Sequence, residues 1–127
     1  MTPEVVQAIE EIRQTFPEHQ VEAEPDADGG AHVVVHDLSL EQQYVPRTTW
    51  MGFQITFQYP RADVYPHFVD GELHRVNGQP LGEGFSGPIP WRDRSAIQVS
   101  RRSNRWNAAH DTAAAKLVKV LEWMKSK

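Results

Sequence analysis

Apolar residues recur along the start of the chain at steps of four, three and four: Val5, Ile9, Ile12 and Phe16. That spacing gathers them on one face of a helix. Thr2 stands where an N-cap is needed, Pro3 at the first helical position and Glu4 in the first turn; Pro17 ends the element. From Val21 the period changes to two. A short strand there, the turn Asp26-Ala27-Asp28-Gly29-Gly30 and the β-rich run from Ala31 to Asp37 predict a hairpin. Residues 38–49 are polar, contain Pro46 and read as a loop or a short irregular strand.

The clearest strand is predicted over Trp50 to Tyr59, where Met51, Phe53, Ile55 and Phe57 alternate with smaller or polar residues. Pro60 ends it, because proline cannot donate to a ladder. A short extended piece follows at Val64 to Val69. Residues 70–95 are rich in glycine and proline and predict a long loop or lid, a kind of segment that is often functional. Ala96 to Val99 reads as a short strand. From Ala109 to about Ser126 the pattern is helical again, with Ala114, Leu117, Val118, Leu121 and Met124 as its apolar stripe. Asp111 suits the positive start of that helix, and Lys125 and Lys127 suit its negative end. The sum is an α+β class: an N-terminal helix, an antiparallel meander sheet, a long loop and a C-terminal helix, with the helices on one face. Phe53, Ile55, Phe57, Leu117 and Leu121 are the expected core. At 127 residues without internal repeats, one domain over 1–127 is expected.

Composition narrows the chemistry. Cysteine is absent, which excludes disulfides, cysteine-ligated zinc, iron–sulfur clusters and a thiol nucleophile. No apolar run approaches the roughly 20 residues of a membrane span. The N-terminus lacks a basic segment followed by an apolar one, so a cytoplasmic location is the default expectation. The net charge of −4 is unevenly spread. Residues 1–40 hold nine acids and one base; residues 92–127 hold three acids and nine bases. Either the basic end meets an acidic partner or the two ends attract each other within the fold.

The basic end contains Arg92, Arg94, Arg101, Arg102 and Arg105, whose guanidinium groups fork onto carboxylates or phosphates. Nucleic acid is a weak candidate, because no stacking aromatics alternate with these arginines and the isoelectric point is below 6. Ser100 and Ser103 lie in the same tract, and Ser86 lies in Gly-Phe-Ser-Gly, which lacks the spacing of a nucleophile elbow. A serine needs a base and an oxyanion stabiliser. His32 and His36 share a strand face without a further metal ligand nearby. His74 and His110 flank the loop and the arginine tract, and His110-Asp111 reads as a capping pair or an oriented base. Trp106, just before the last helix, reads as a core anchor.

These elements resemble the ubiquitin-conjugating enzymes. The residues that carry the resemblance are Tyr59-Pro60 with Tyr65-Pro66 after the third strand, and Trp106 before an amphipathic helix. The segment 97–124, IQVSRRSNRWNAAHDTAAAKLVKVLEWM, is similar to a divergent bacterial branch found beside ubiquitin-like and activating-enzyme genes. The resemblance covers about 45–124 and implies that family's fold. It also implies two partners, a ubiquitin-like protein and its activating enzyme, with no cofactor and no metal. Counting back from Trp106 places the family's cysteine near Gln98 to Ser100, where this chain has none; the His-Pro-Asn element is also missing, with only His74 and Asn77 as a loose echo. A thioester mechanism is therefore excluded. Several readings remain open. In one, Ser100 carries the modifier as an oxyester, with His110 or His74 as base. In another, the domain is a non-catalytic variant that binds the modifier or the activating enzyme through Arg101, Arg102, Arg105 and Trp106. A third makes it an arginine-rich module for phosphate or nucleic acid, and a fourth is that a native cysteine was replaced.

Overall fold

The computed structural model describes all 127 residues. Helix α1 spans Pro3–Thr15, and the Thr2 hydroxyl accepts from Val5 N at 3.1 Å, as its N-cap position requires. The strands are β1 (Val21–Pro25), β2 (Ala31–Ser39), β3 (Tyr44–Val45), β4 (Thr48–Ile55), β5 (His67–Asp70), β6 (His74–Arg75), β7 (Phe85–Trp91) and β8 (Arg94–Val99). Helix α2 spans Ala113–Lys125, with the Thr112 hydroxyl accepting from Ala115 N at 3.1 Å. Six strands form one antiparallel sheet in the order β1-β2-β4-β5-β8-β7, and β3 pairs with β6 in a separate ribbon. The class is α+β, with both helices beside each other on one sheet face. Neither helix is long and apolar enough to cross a membrane.

Alternation decides which side chains face the helices. Val35, Met51 and Val69 stand in register across β2, β4 and β5, and Val33 opposes Phe53; all are buried. Leu117, Val120 and Met124 of α2 and Val5 and Ile12 of α1 close this core from above. Removing either capping hydroxyl, in Thr2→Ala or Thr112→Ala, is expected to cost about 1 kcal/mol in urea denaturation, with Thr112→Ser restoring most of it.

Three expectations are corrected. The segment 70–95 is not one long loop: it contains the short strand β6, and from Phe85 it enters a β-hairpin, β7–β8, leaving only 76–84 as an irregular connection of any length. Its prolines disguise it: Pro88 and Pro90 lie on β7, the outermost strand, where no neighbour needs their missing N–H groups. Gly87, at φ +126°, sits in a bulge between Ser86 and Ile89. Phe57 is not in the core but half exposed, because β4 stops at Ile55 and the chain turns away. Val118 is exposed as well. The buried stripe of α2 runs through Ala113, Lys116, Leu117, Val120 and Met124, which leaves Val118 over the shallow groove toward α1.

The opposite sheet face carries no helix. The tip of the β7–β8 hairpin folds onto it instead, and the Trp91 ring stacks on Phe68 and Trp50. Gly52 makes this approach possible, since a Cβ there would lie 2.3 Å from the Trp91 ring. Arg92 pairs with Glu24 at 2.8 Å, and Arg94 lies 3.7 Å from Glu22 and over the Trp50 ring. Here the basic tract and the acidic N-terminal third do meet.

Candidate functional site

Beyond Val99 the chain runs without regular structure to Thr112, held by polar anchors on the segment that follows β4. Trp106 Nε1 donates to Pro60 O at 2.6 Å, and Ala113 N donates to the Tyr59 hydroxyl at 3.0 Å. The Tyr59 and Trp106 rings lie 6.4 Å apart. The Tyr-Pro element and the tryptophan-helix element, far apart in sequence, thus form one unit. Trp106 spends its polar N–H inside the fold and is only half-buried.

A buried polar cluster fixes the middle of this segment. Lys116 Nζ reaches both Asp63 carboxylate oxygens at 3.1 Å and donates to Ser103 Oγ at 2.6 Å. Ser103 in turn donates to Asp63 through its backbone N at 2.7 Å and its hydroxyl at 3.1 Å. Burial pushes the Asp63 carboxyl up, but the Ser103 N–H and the Lys116 ammonium outweigh it and hold the carboxyl below its usual range. Burial pushes Lys116 down, an effect that Asp63 opposes and that Lys119 and Arg101 reinforce. Asp63 is thus ionised, and the Lys116 ammonium holds it so. A carboxylate held low is a poor base, so the Ser103 hydroxyl bonded to it is an anchor rather than an activated nucleophile.

Beneath the cluster lies His67, fully buried on β5, with its ring 5.1 Å from that of Phe53. Neither ring nitrogen has a hydrogen-bond partner. Burial, with Lys116 adding to it, pushes the imidazole down to about 3.

Above the cluster is an open cleft of about 330 Å³ whose walls include Arg101, Arg102, Arg105, Lys116, Lys119 and Trp123. Arg101 lies over the Trp123 ring at 4.7 Å, and Arg102 lies over the Tyr65 ring at 4.8 Å while donating to its hydroxyl. Of the five arginines of the tract, Arg92 and Arg94 are paired with acids on the other sheet face. Arg101, Arg102 and Arg105 have no carboxylate partner. The attraction between chain ends therefore accounts for the first two arginines and not for these three.

The expected catalytic residues are dispersed. Ser100, at the exit of β8, donates its backbone N to Gly84 O at 2.8 Å, and its hydroxyl accepts from Gln98 Nε2 at 3.0 Å. Gly84 lies against Trp123, so Ser100 sits toward the C-terminal end of α2. His110 is in the turn before the N-terminus of that helix, exposed. His74 is exposed on β6, whose ribbon is tied to the end of α2 by Tyr44 to Met124 O and Arg75 to Lys127 O. The two histidines thus lie at opposite ends of a 13-residue helix, about 20 Å at 1.5 Å per residue. No hydrogen bond joins either one to Ser100.

Sequence reasoning did not single out Asp63, His67, Lys116 or Lys119. One signal was present: Lys116 falls on the helical stripe with Ala113 and Val120, and a lysine inside a buried stripe requires a counter-charge. No group of three or more histidine, aspartate and glutamate side chains is placed to hold a metal ion. No protein-family model matches the chain, and neither a curated protein nor a solved structure shows significant similarity to it.

Proposed function

We propose that this chain is a ubiquitin-conjugating-enzyme-like binding domain of a bacterial, cytoplasmic ubiquitin-like conjugation pathway. It docks a ubiquitin-like protein or its activating enzyme and does not carry the modifier covalently. The observation that carries this reading is the isolation of Ser100: its hydroxyl contacts only Gln98, with no base and no charged donor in hydrogen-bond reach. The family resemblance draws support from the joint between Tyr59-Pro60 and Trp106-Ala113, the two elements on which it rests. Arg101, Arg102 and Arg105 are the free cations that an acidic partner surface would meet.

The test is incubation with ATP and the activating enzyme and ubiquitin-like protein of the source organism. The expected result is a non-covalent complex without an ester adduct. Arg101→Glu/Arg102→Glu should weaken that complex about tenfold or more, since like charges then face each other. An adduct that survives thiol reductant, is cleaved by hydroxylamine and vanishes in Ser100→Ala would replace this reading with the oxyester one. Neither complex nor adduct would remove the domain from such a pathway.

A further inference from the structure

From the cleft between the 100–106 segment and α2 we infer a binding site for a small polyanion of the phosphate class, with two or more phosphoryl charges on a compact molecule. The inference concerns the cleft alone and does not depend on a protein partner.

Four of its cations are unpaired: Arg101, Arg102, Arg105 and Lys119. The fifth, Lys116, is neutralised by Asp63. The one further carboxylate in the lining, Asp111, accepts from Asn107 N at 2.7 Å, so it caps the turn that leads into α2. The cleft is therefore positive by about three charges, within a chain whose overall charge is negative. Like charges gathered without counter-ions destabilise the empty protein, and Lys119 and Arg101 act on Lys116 in that sense. An anion relieves this repulsion.

Two features favour recognition over a merely solvated basic face. Arg101 and Arg102 are stacked on Trp123 and Tyr65, which holds their planes and lowers the entropy lost when their N–H groups bind. The 100–106 segment that bears them is anchored underneath by the Asp63–Lys116–Ser103 cluster. Several guanidinium forks around one cavity match the oxygens of phosphoryl groups, whereas a single carboxylate would leave most of the charge unanswered. The cations converge on one cleft instead of tracking a strand. The nearest aromatic rings are already covered by the arginines, leaving no platform for stacked bases.

The test uses inorganic pyrophosphate, read by thermal shift and calorimetry at constant ionic strength. Wild type should melt higher with pyrophosphate than with sodium chloride of equal ionic strength. Arg105→Gln/Lys119→Gln changes two exposed residues that make no side-chain hydrogen bonds or ion pairs, so it should fold normally and bind about tenfold more weakly. Arg92→Gln/Arg94→Gln removes the same charge from the other sheet face and should bind as wild type does. The site is overturned if pyrophosphate gives no shift beyond chloride, or if both double variants lose affinity equally, which would reduce the effect to overall charge. It is also overturned if a single-stranded oligonucleotide binds more tightly than pyrophosphate, which would assign the cleft to nucleic acid. The assay contains neither modifier nor activating enzyme, so its failure and that of the conjugation reading are separately visible.

Discussion

Lys116→Ala is expected to lower folding stability by about 3–5 kcal/mol, because it leaves the Asp63 carboxylate desolvated without its counter-charge. Lys116 is 5% exposed and Asp63 12%, so water cannot replace the lost ammonium as it would around a surface pair. Ser103 loses a 2.6 Å donor in the same change, and the 100–106 segment loses one of its anchors. The paired replacement Asp63→Leu/Lys116→Met should recover only part of the loss: it removes both desolvated charges but leaves the Ser103 N–H and hydroxyl without their acceptor. Urea denaturation of the three proteins checks this. A loss under about 1 kcal/mol in Lys116→Ala would mean that the pair behaves as an exposed bridge.

His67→Leu is expected to stabilise the protein, by about 1–3 kcal/mol near pH 7. A neutral imidazole presents one donor and one acceptor, and both are buried here without partners. Leucine keeps the bulk against Phe53 and removes the polar atoms. The pH dependence follows from the same burial. In the folded state the imidazole is held down to about 3, whereas in the unfolded chain it titrates near 6.5. Between those values the unfolded state binds a proton that the folded state does not, so stability rises with pH there. It is fully present above about pH 6.5 and falls as the solution is acidified. By about pH 5 the loss is roughly 2 kcal/mol. Asp63 adds to acid lability only at lower pH, near the ordinary carboxylate range, because its carboxyl is held down in the fold. His32, pushed down first by burial and then by Arg92, has the same sign as His67 in the upper window. His32→Gln is therefore the companion variant. Denaturation midpoints from about pH 7 to 5 should flatten in His67→Leu and fall steeply in His32→Gln. An unchanged slope in His67→Leu would show that another group sets the acid sensitivity.

Both changes concern residues that the linear pattern did not rank, although Lys116 falls on the helical stripe with Ala113 and Val120. His67 is one of several histidines in the sequence, and only its position opposite Val99, under α2, strips it of water. Lys116 falls on an apolar stripe that calls for a counter-charge, but only the fold supplies it, by bringing Asp63, more than fifty positions earlier, beneath it. The functional candidates divided in the same way. Ser100, His74 and His110 were linked by proximity to one loop, but the fold puts His110 at the N-terminal end of α2 and Ser100 and His74 toward its C-terminal end, with no hydrogen bond between those two. The arginine tract read as one object and is two, with Arg92 and Arg94 latched to β1 and Arg101, Arg102 and Arg105 left free beside α2.

Local physics was enough for the rest. The sequence by itself determined α1 and its cap, the β1–β2 hairpin, the inward set Met51, Phe53 and Ile55, most of the α2 stripe, and the exclusion of thiol chemistry. Each depends on spacing along a single element, on a cap, or on the presence of a residue type. Tertiary structure alone decided that the proline-bearing segment 85–91 is a strand, because only an edge position makes its missing donors harmless. It also decided where β4 ends and therefore that Phe57 faces solvent. Above all it decided which charges meet. Pairing depends on distances across the fold, set by how the sheet curls and where α2 lies, and no local periodicity encodes those distances.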